Sequence, residues 1–263
     1  MRGFGEIAER LRRSTVQVFA DRRGGGSGVV WSGDGLIVTN AHVARGPEAQ
    51  IELWDGRRLA GRVTARDPRR DLAALRIAAA GLEPATPGDS GALRPGELVM
   101  AIGSPLGFAG ALSTGVVHST GGLRGMGRQS WIRAAVRLAP GNSGGPLANA
   151  RGHVVGINSA IVNGLGVAVP VNAAVEFLRR GAPPSLGVTL RPVSGGLLIL
   201  EMEPGGAAAA ASLRAGDVLL GSFDDLSGAL DSGRDVLRIP FVRGDPARVR
   251  EAYVRLARRA EAA

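Results

Sequence analysis

The sequence predicts a mostly β protein, an antiparallel barrel or sandwich followed by a smaller α+β domain, and three observations carry that expectation. Short apolar runs recur along the first two thirds of the chain, each bounded by Gly, Pro, Asp or Asn, as in all-β domains. The 263 residues include 41 glycines and only 4% aromatics, which suits many turns and small side chains at packing contacts. After Pro170 the pattern changes: VNAAVEFLRRG reads as a helix stopped by Gly181 and Pro183-Pro184, the best linker in the chain. The expected domains are therefore 1–181 and 182–263.

Taken in order, Phe4 to Leu11 reads as a short amphipathic helix with Phe4, Ile7 and Leu11 on one face. The runs STVQVFA, SGVVWS, GLIVTN, AQIELW, LAGRVTA, DLAALRI, ELVMAIG, GALSTGVVHST, QSWIRAAV, HVVGINSAIV and GVAVPV then read as strands. SGDG at Ser32 to Gly35 is hairpin punctuation. Beyond Ser185 come a strand GLLILEM, an alanine-rich helix AAAAASLRAG and a strand DVLLGSF. A short helix DDLSGAL and the strands VLRIPFV and ARVREAYVRL close the chain.

The net charge is +9, and every one of the 32 cations is arginine. These arginines are scattered without interleaved stacking aromatics, so a solvated surface is expected rather than a specific nucleic-acid site. With no cysteine there is no disulfide, thiol chemistry or Cys-based metal site. No stretch approaches the roughly 20 apolar residues of a membrane span. The start, MRGFGEIAERLRRSTVQVF, lacks the apolar run of a signal peptide. The expectation is a cytoplasmic chain as written, or a periplasmic or secreted one if a leader has been trimmed.

The chemistry rests on three histidines. A serine nucleophile needs a base, and the base needs a carboxylate to fix its tautomer and stabilise its cation. GNSGG at Gly141 to Gly145 fits the loose G-x-S-x-G pattern of an α/β-hydrolase elbow, but that fold requires Ser, acid, His in order. The only histidine after Ser143 is His153, with no acid between them. The order His42, Asp71, Ser143 is met instead, with His42 after the strand GLIVTN and Asp71 opening DLAALRI as a residue anchored in a buried strand. Glycines flanking Ser143 allow a sharp turn whose Gly141 and Ser143 amides converge on a developing oxyanion. His118 and His153 are expected to be structural, and Ser27-Gly28 and GSPLG to shape turns.

TNAHV, DPRRDLAALRI and PGNSGGPL, followed by GHVVGINSAIV and GVAVPVN, resemble the HtrA (Deg) family of trypsin-fold serine proteases over Thr15 to Asn172. The resemblance implies two six-stranded β-barrels, with His42 and Asp71 from the first, Ser143 from the second and the cleft between them. It implies that Asn158, Ser159 and Ala160 line one side of that cleft and pair with substrate as an added strand. SLGV at Ser185 to Val188 resembles the carboxylate-binding loop of PDZ domains, and GLLILEMEPGGAAAAASLRAGDVLL the region that follows it in this family. The implied peptide groove has Leu186, Gly187 and Val188 on one wall and Leu226 and Leu230 on the other. Further implications are unfolded polypeptides as substrates, C-terminal peptides as PDZ ligands, a homotrimer with Phe4 at its contact, and a sensor loop holding Arg124 and Arg128. No metal or organic cofactor is implied.

The sequence departs from the family where FDDL follows GDVLLGS directly, without the usual Asn-Gly turn and short strand, which implies a shortened groove. Ala135 and Ala139 stand where the family commonly has an Asp and an Asn. Trp131 to Pro140 contains no acid, so a small or medium aliphatic P1 residue is expected in place of a basic one, with Arg137 leaving room for an acidic P1. The expected function is serine endopeptidase action. The alternative is a latent or inactive trypsin-fold chaperone or peptide-binding protein, and a weaker third is a basic nucleic-acid binder.

Overall fold

The computed structural model describes residues 3–19, 25–104, 110–124, 126, 129–180, 184–232 and 234–256. Gly181, Pro183, Arg128 and part of GSPLG, all of which drew expectations above, lie outside the described residues. The chain divides into two compact units, Met1–Arg180 and Gly181–Ala263.

The first unit holds two closed antiparallel barrels. The first contains β1 (Thr15–Phe19), β2 (Gly25–Val30), β3 (Leu36–Thr39), β4 (Glu48–Glu52), β5 (Arg58–Asp67) and β6 (Leu72–Ile77). The second contains β7 (Leu98–Gly103), β8 (Ala111–Gly122), β9 (Ser130–Ala134), β10 (Pro146–Asn149), β11 (Val154–Val162) and β12 (Leu165–Pro170). Strand order is β1-β2-β3-β6-β5-β4 in one and β7-β8-β9-β12-β11-β10 in the other, the same winding twice. Closure leaves no unpaired sheet edge. Each barrel has its own core, Val18, Ile37, Ile51 and Leu75 in the first and Val99, Ile132, Leu147 and Val155 in the second. A further cluster joins Val29, Val38 and Leu72 of the first barrel to Met100, Ile102 and Ile157 of the second.

Two helices seal that cluster. Helix α1 (Phe4–Arg13) contributes Ile7 and Leu11, and α2 (Val171–Arg180) contributes Val171, Ala174 and Phe177. Full burial of each large side chain is worth about 2 kcal/mol. Arg10, Arg12 and Arg13 in the last turn of α1 complement the helix dipole. Hydrogen bonds from Arg12 and then Arg13 hold the Glu9 carboxyl down to about 2. Both guanidiniums also lie over Trp54, at 5.5 and 5.0 Å from the ring centre. Phe4 departs from the apolar face it was expected to share with Ile7 and Leu11. It is 49% exposed because only Ile7 and Leu11 reach the inter-barrel cluster.

The second unit is a five-stranded antiparallel sheet, β13 (Val188–Val193), β14 (Gly196–Met202), β15 (Val218–Leu220), β16 (Val236–Val242) and β17 (Val249–Arg255), ordered as numbered. Its helices are short: α3 spans only Ala207–Ala210, ended by Ser212 at φ +62°, and α4 spans Phe223–Asp231. The run DVLLGSF is not one strand. Ser222 caps α4 in a reciprocal capping box with Asp225, which takes Phe223 into the helix three residues after β15 ends.

Candidate active site

His42 lies in the turn after β3, and its position follows from the polar end of an apolar strand. Thr39 donates its hydroxyl to the Ser27 carbonyl at 2.6 Å, and the Asn40 carbonyl accepts the Val43 and Ala44 amides, which winds the turn. Arg66 donates to the carbonyls of Ala41 and Arg45, and Arg45 to that of His42, so guanidinium groups hold the turn from outside. The imidazole is left 42% exposed.

Asp71 is placed differently from the expectation of a strand residue. It sits before β6 in the left-handed region, φ +56°, a conformation that Asp tolerates better than most non-glycine residues. The DPRRD segment builds this position. Asp67, fully buried at the end of β5, accepts the amides of Arg69 and Arg70 and the Arg70 guanidinium, closing an Asx turn. Asn40 then donates to the Asp71 carbonyl at 2.9 Å. The Asp71 carboxylate faces His42 Nδ1 at 2.9 and 2.8 Å and accepts the His42 amide at 3.1 Å. A carboxylate on Nδ1 selects the tautomer that carries the proton there and leaves the Nε2 lone pair outward.

Ser143 lies in the turn after β9, the place in the second barrel that corresponds to His42 in the first. The turn Ala139–Asn142 is closed by an Asn142 amide bond to the Ala139 carbonyl at 3.0 Å, with Gly141 at φ +106°. Pro at the second position and Gly with positive φ at the third are the type II arrangement. The amides of Gly141 and Ser143 donate to no acceptor among the described residues. At Gly144, φ +88°, a Cβ would stand 2.0 Å from the Ser27 carbonyl oxygen, so only glycine fits.

Ser159 joins the three. Strand β11 shifts register between Asn158 and Ala160, which makes Ser159 the extra residue of a bulge. Its hydroxyl donates to Asp71 at 2.6 Å, and its carbonyl, freed from the ladder, accepts the Ser143 hydroxyl at 2.9 Å. No hydrogen bond joins Ser143 to His42. A cavity of about 200 Å³ beside Ser143 and Ser159 is lined by Leu138, Ala139, Pro140, Ala160 and Ile161, with no acid in its wall.

Of the three residues expected to line the cleft, Ser159 and Ala160 line the cavity beside Ser143, and Asn158 lies within the strand. Asn158 is 1% exposed because its backbone pairs with Gly144 and Gly145 and its side chain donates to the Pro146 carbonyl. The Ser159 hydroxyl contact with Asp71 was not legible in the sequence. The contacts of the Ser27 hydroxyl with Gly141 and Ser104 were not legible either, and their signal was a small polar residue between Gly26 and Gly28 inside a buried strand. In the second unit, Leu186 and Leu230 are interior side chains, 3% and 6% exposed, in one cluster with Leu197, Ile199 and Leu219, so they do not line an open groove. Leu226 and Val188 pack partly buried against that cluster, and Gly187 holds φ +68°. The described residues contain no cluster of metal-ligand type.

The trypsin-like peptidase domain family matches residues 26–157. A probable periplasmic serine endoprotease, DegP-like, of Halomonas elongata is 39% identical over 80% of this chain and 50% of its own. The chain belongs to the HtrA family of serine proteases. A putative serine protease HhoB of Synechocystis is 37% identical over 75% of this chain and 56% of its own. The solved HtrA-type protease AlgW with tripeptide covers 97% of both chains at 25% identity, with a TM-score of 0.68. The chain thus spans about half the length of the curated HtrA relatives it matches. The periplasmic description of the DegP-like relative lends no support to the expectation of a cytoplasmic chain.

Proposed function

We propose that this chain is a serine endopeptidase in which Ser143 is the nucleophile, His42 the base and Asp71 the orienting carboxylate. The observation that carries this reading is the chain of contacts from Ser143 through Ser159 to Asp71 and on to His42 Nδ1, drawn from both barrels. In the reaction the Ser143 hydroxyl turns from the Ser159 carbonyl to His42 Nε2, gives up its proton there and attacks the peptide carbonyl. The resulting oxyanion accepts the unpaired Gly141 and Ser143 amides, a contribution of about 2.7 to 4 kcal/mol per donor. His42 returns the proton to the leaving amine, and water repeats the sequence to release the acyl group.

Substrate is an unfolded polypeptide segment lying extended beside Ser159 to Ile161, with a small or medium aliphatic side chain in the apolar cavity. The second unit is PDZ-like and regulatory. Edge strand β13 is its docking edge, while the buried Leu186 and Leu230 leave a shallow site. Exposed Phe4 serves a trimer contact, and the setting is the periplasm of the DegP-like relatives. The test is fluorophosphonate labelling together with cleavage of unfolded casein. Both are expected in the native chain and absent in Ser143→Ala. A chain that neither labels nor cleaves while folded sinks the proposal.

A second reading has one observation in its favour. With the Ser143 hydroxyl held by the Ser159 carbonyl, the isolated chain rests in a latent form that binds unfolded segments before it cuts them. Activity that rises steeply when peptide is added separates this reading from a constitutive protease.

A further inference from the structure

We infer that Ser27, in the first barrel, is a positioning residue for the oxyanion turn of the second. The inference rests on the proposed role of Ser143. Ser27 is fully buried, and each of its polar groups is spent on a neighbour of the site. Its hydroxyl donates to the Gly141 carbonyl at 2.7 Å and accepts the Ser104 amide at 2.9 Å. Its own amide donates to the Ser143 carbonyl at 2.7 Å. Its carbonyl accepts the hydroxyl of Thr39, three residues before His42.

The geometry gives these bonds a direction. The Ser143 amide belongs to the peptide plane between Asn142 and Ser143. Ser27 holds the plane before it, through the Gly141 carbonyl, and the plane after it, through the Ser143 carbonyl. An amide fixed from both sides has its hydrogen aimed without help from a side chain of its own. Gly141, at φ +106° and lacking a Cβ, adds no side-chain restraint to the turn's own Asn142–Ala139 bond, and the Ser27 hydroxyl supplies a tie from outside. The crowding agrees: a Cβ on Gly103 would lie 3.0 Å from the Ser27 hydroxyl, and one on Gly144 2.0 Å from its carbonyl oxygen. The Thr39 bond places the base-bearing turn and the nucleophile-bearing turn on the same anchor. A small displacement of an oxyanion donor is costly, because misplacement of about 1 Å loses on the order of 100-fold in rate.

The test uses the full chain and the variants Ser27→Ala and Thr39→Val. Expected for Ser27→Ala is a kcat reduced at least tenfold with KM within twofold of native, and a matching loss in fluorophosphonate labelling rate. Affinity for a peptide boronic acid, which forms a tetrahedral adduct, falls by a similar factor while affinity for the cleaved peptide product holds. Thr39→Val shows the same split at smaller size. A Ser27→Ala protein that stays folded and labels at the native rate overturns the inference, as does one whose KM rises in step with a constant kcat. Should Ser27→Ala fail to fold, Ser27→Thr and Ser27→Cys replace it: labelling slower in Cys than in Thr supports the inference, and equal rates overturn it. Absence of labelling in the native chain is a different failure, since it removes the role of Ser143 and this inference with it.

Discussion

Ser159 accepts the hydroxyl of Ser143 through its backbone and gives its own hydroxyl to Asp71. One bulge residue therefore touches the nucleophile and the acid of the proposed triad at once. On the proposed reading, an extended substrate beside β11 meets that carbonyl with its own backbone N–H, and its docking releases the nucleophile. A peptide N-methylated at the residue before the scissile bond lacks that donor, and its kcat/KM is expected to fall about tenfold or more, by loss of one buried hydrogen bond of roughly 1 to 2 kcal/mol. Equal rates for the two peptides remove this coupling.

Ser159→Ala is expected to keep the fold and weaken catalysis. A hydrogen bond to a charged group is worth about 1.5 to 3 kcal/mol, so kcat should drop about 10- to 150-fold. Steady-state kinetics at neutral pH reads the loss. Asp71→Asn, which reverses the His42 tautomer, is expected to cost on the order of 10⁴ in kcat.

Two glycines with nearly the same backbone angle separate strain from space. Gly144 and Gly56 have φ of +88° and +85°, but a Cβ at Gly144 would strike the Ser27 carbonyl while one at Gly56 meets nothing within 4 Å. Gly56→Ala is expected to cost about 1 kcal/mol, the left-handed penalty alone. Gly144→Ala adds overpacking and costs about 3 kcal/mol or more, with activity lost. Chemical denaturation of the pair measures the difference.

The second unit carries its own acid sensitivity. Burial pushes the Asp217 carboxyl up, but hydrogen bonds from the Arg243 guanidinium and the Arg214 amide prevail and hold it below the ordinary carboxylate range. A depressed folded value means this stability is present above the unfolded value, about 3.9, and is lost as pH falls through the folded value. Arg243→Met leaves the buried carboxylate with the Arg214 amide but no guanidinium, which costs about 3 to 5 kcal/mol near neutral pH, a deficit that shrinks as falling pH protonates the carboxyl. Circular dichroism against pH checks the direction.

The strands were legible because short apolar runs stop at turn residues, as GLIVTN and QSWIRAAV do, while their closure into two barrels was legible only through the family resemblance. The candidates His42, Asp71 and Ser143 were read from their order along the chain, and the structure sets the Asp71 carboxylate against His42 Nδ1. What escaped was set by geometry that no local pattern encodes. The left-handed Asp71 depends on the Asx turn of Asp67, the orientation of Ser159 on a single bulge, and the interior place of Leu186 and Leu230 on packing within the second unit. Ser27 looked like turn punctuation because its four partners lie 12 to 116 residues away.

The repeated strand order puts His42 and Ser143 at matching corners of two separately cored barrels. On the proposed roles neither barrel carries the chemistry alone: a force that slides one past the other would part base from nucleophile without disturbing the core of either barrel, so turnover would report the register of the seam.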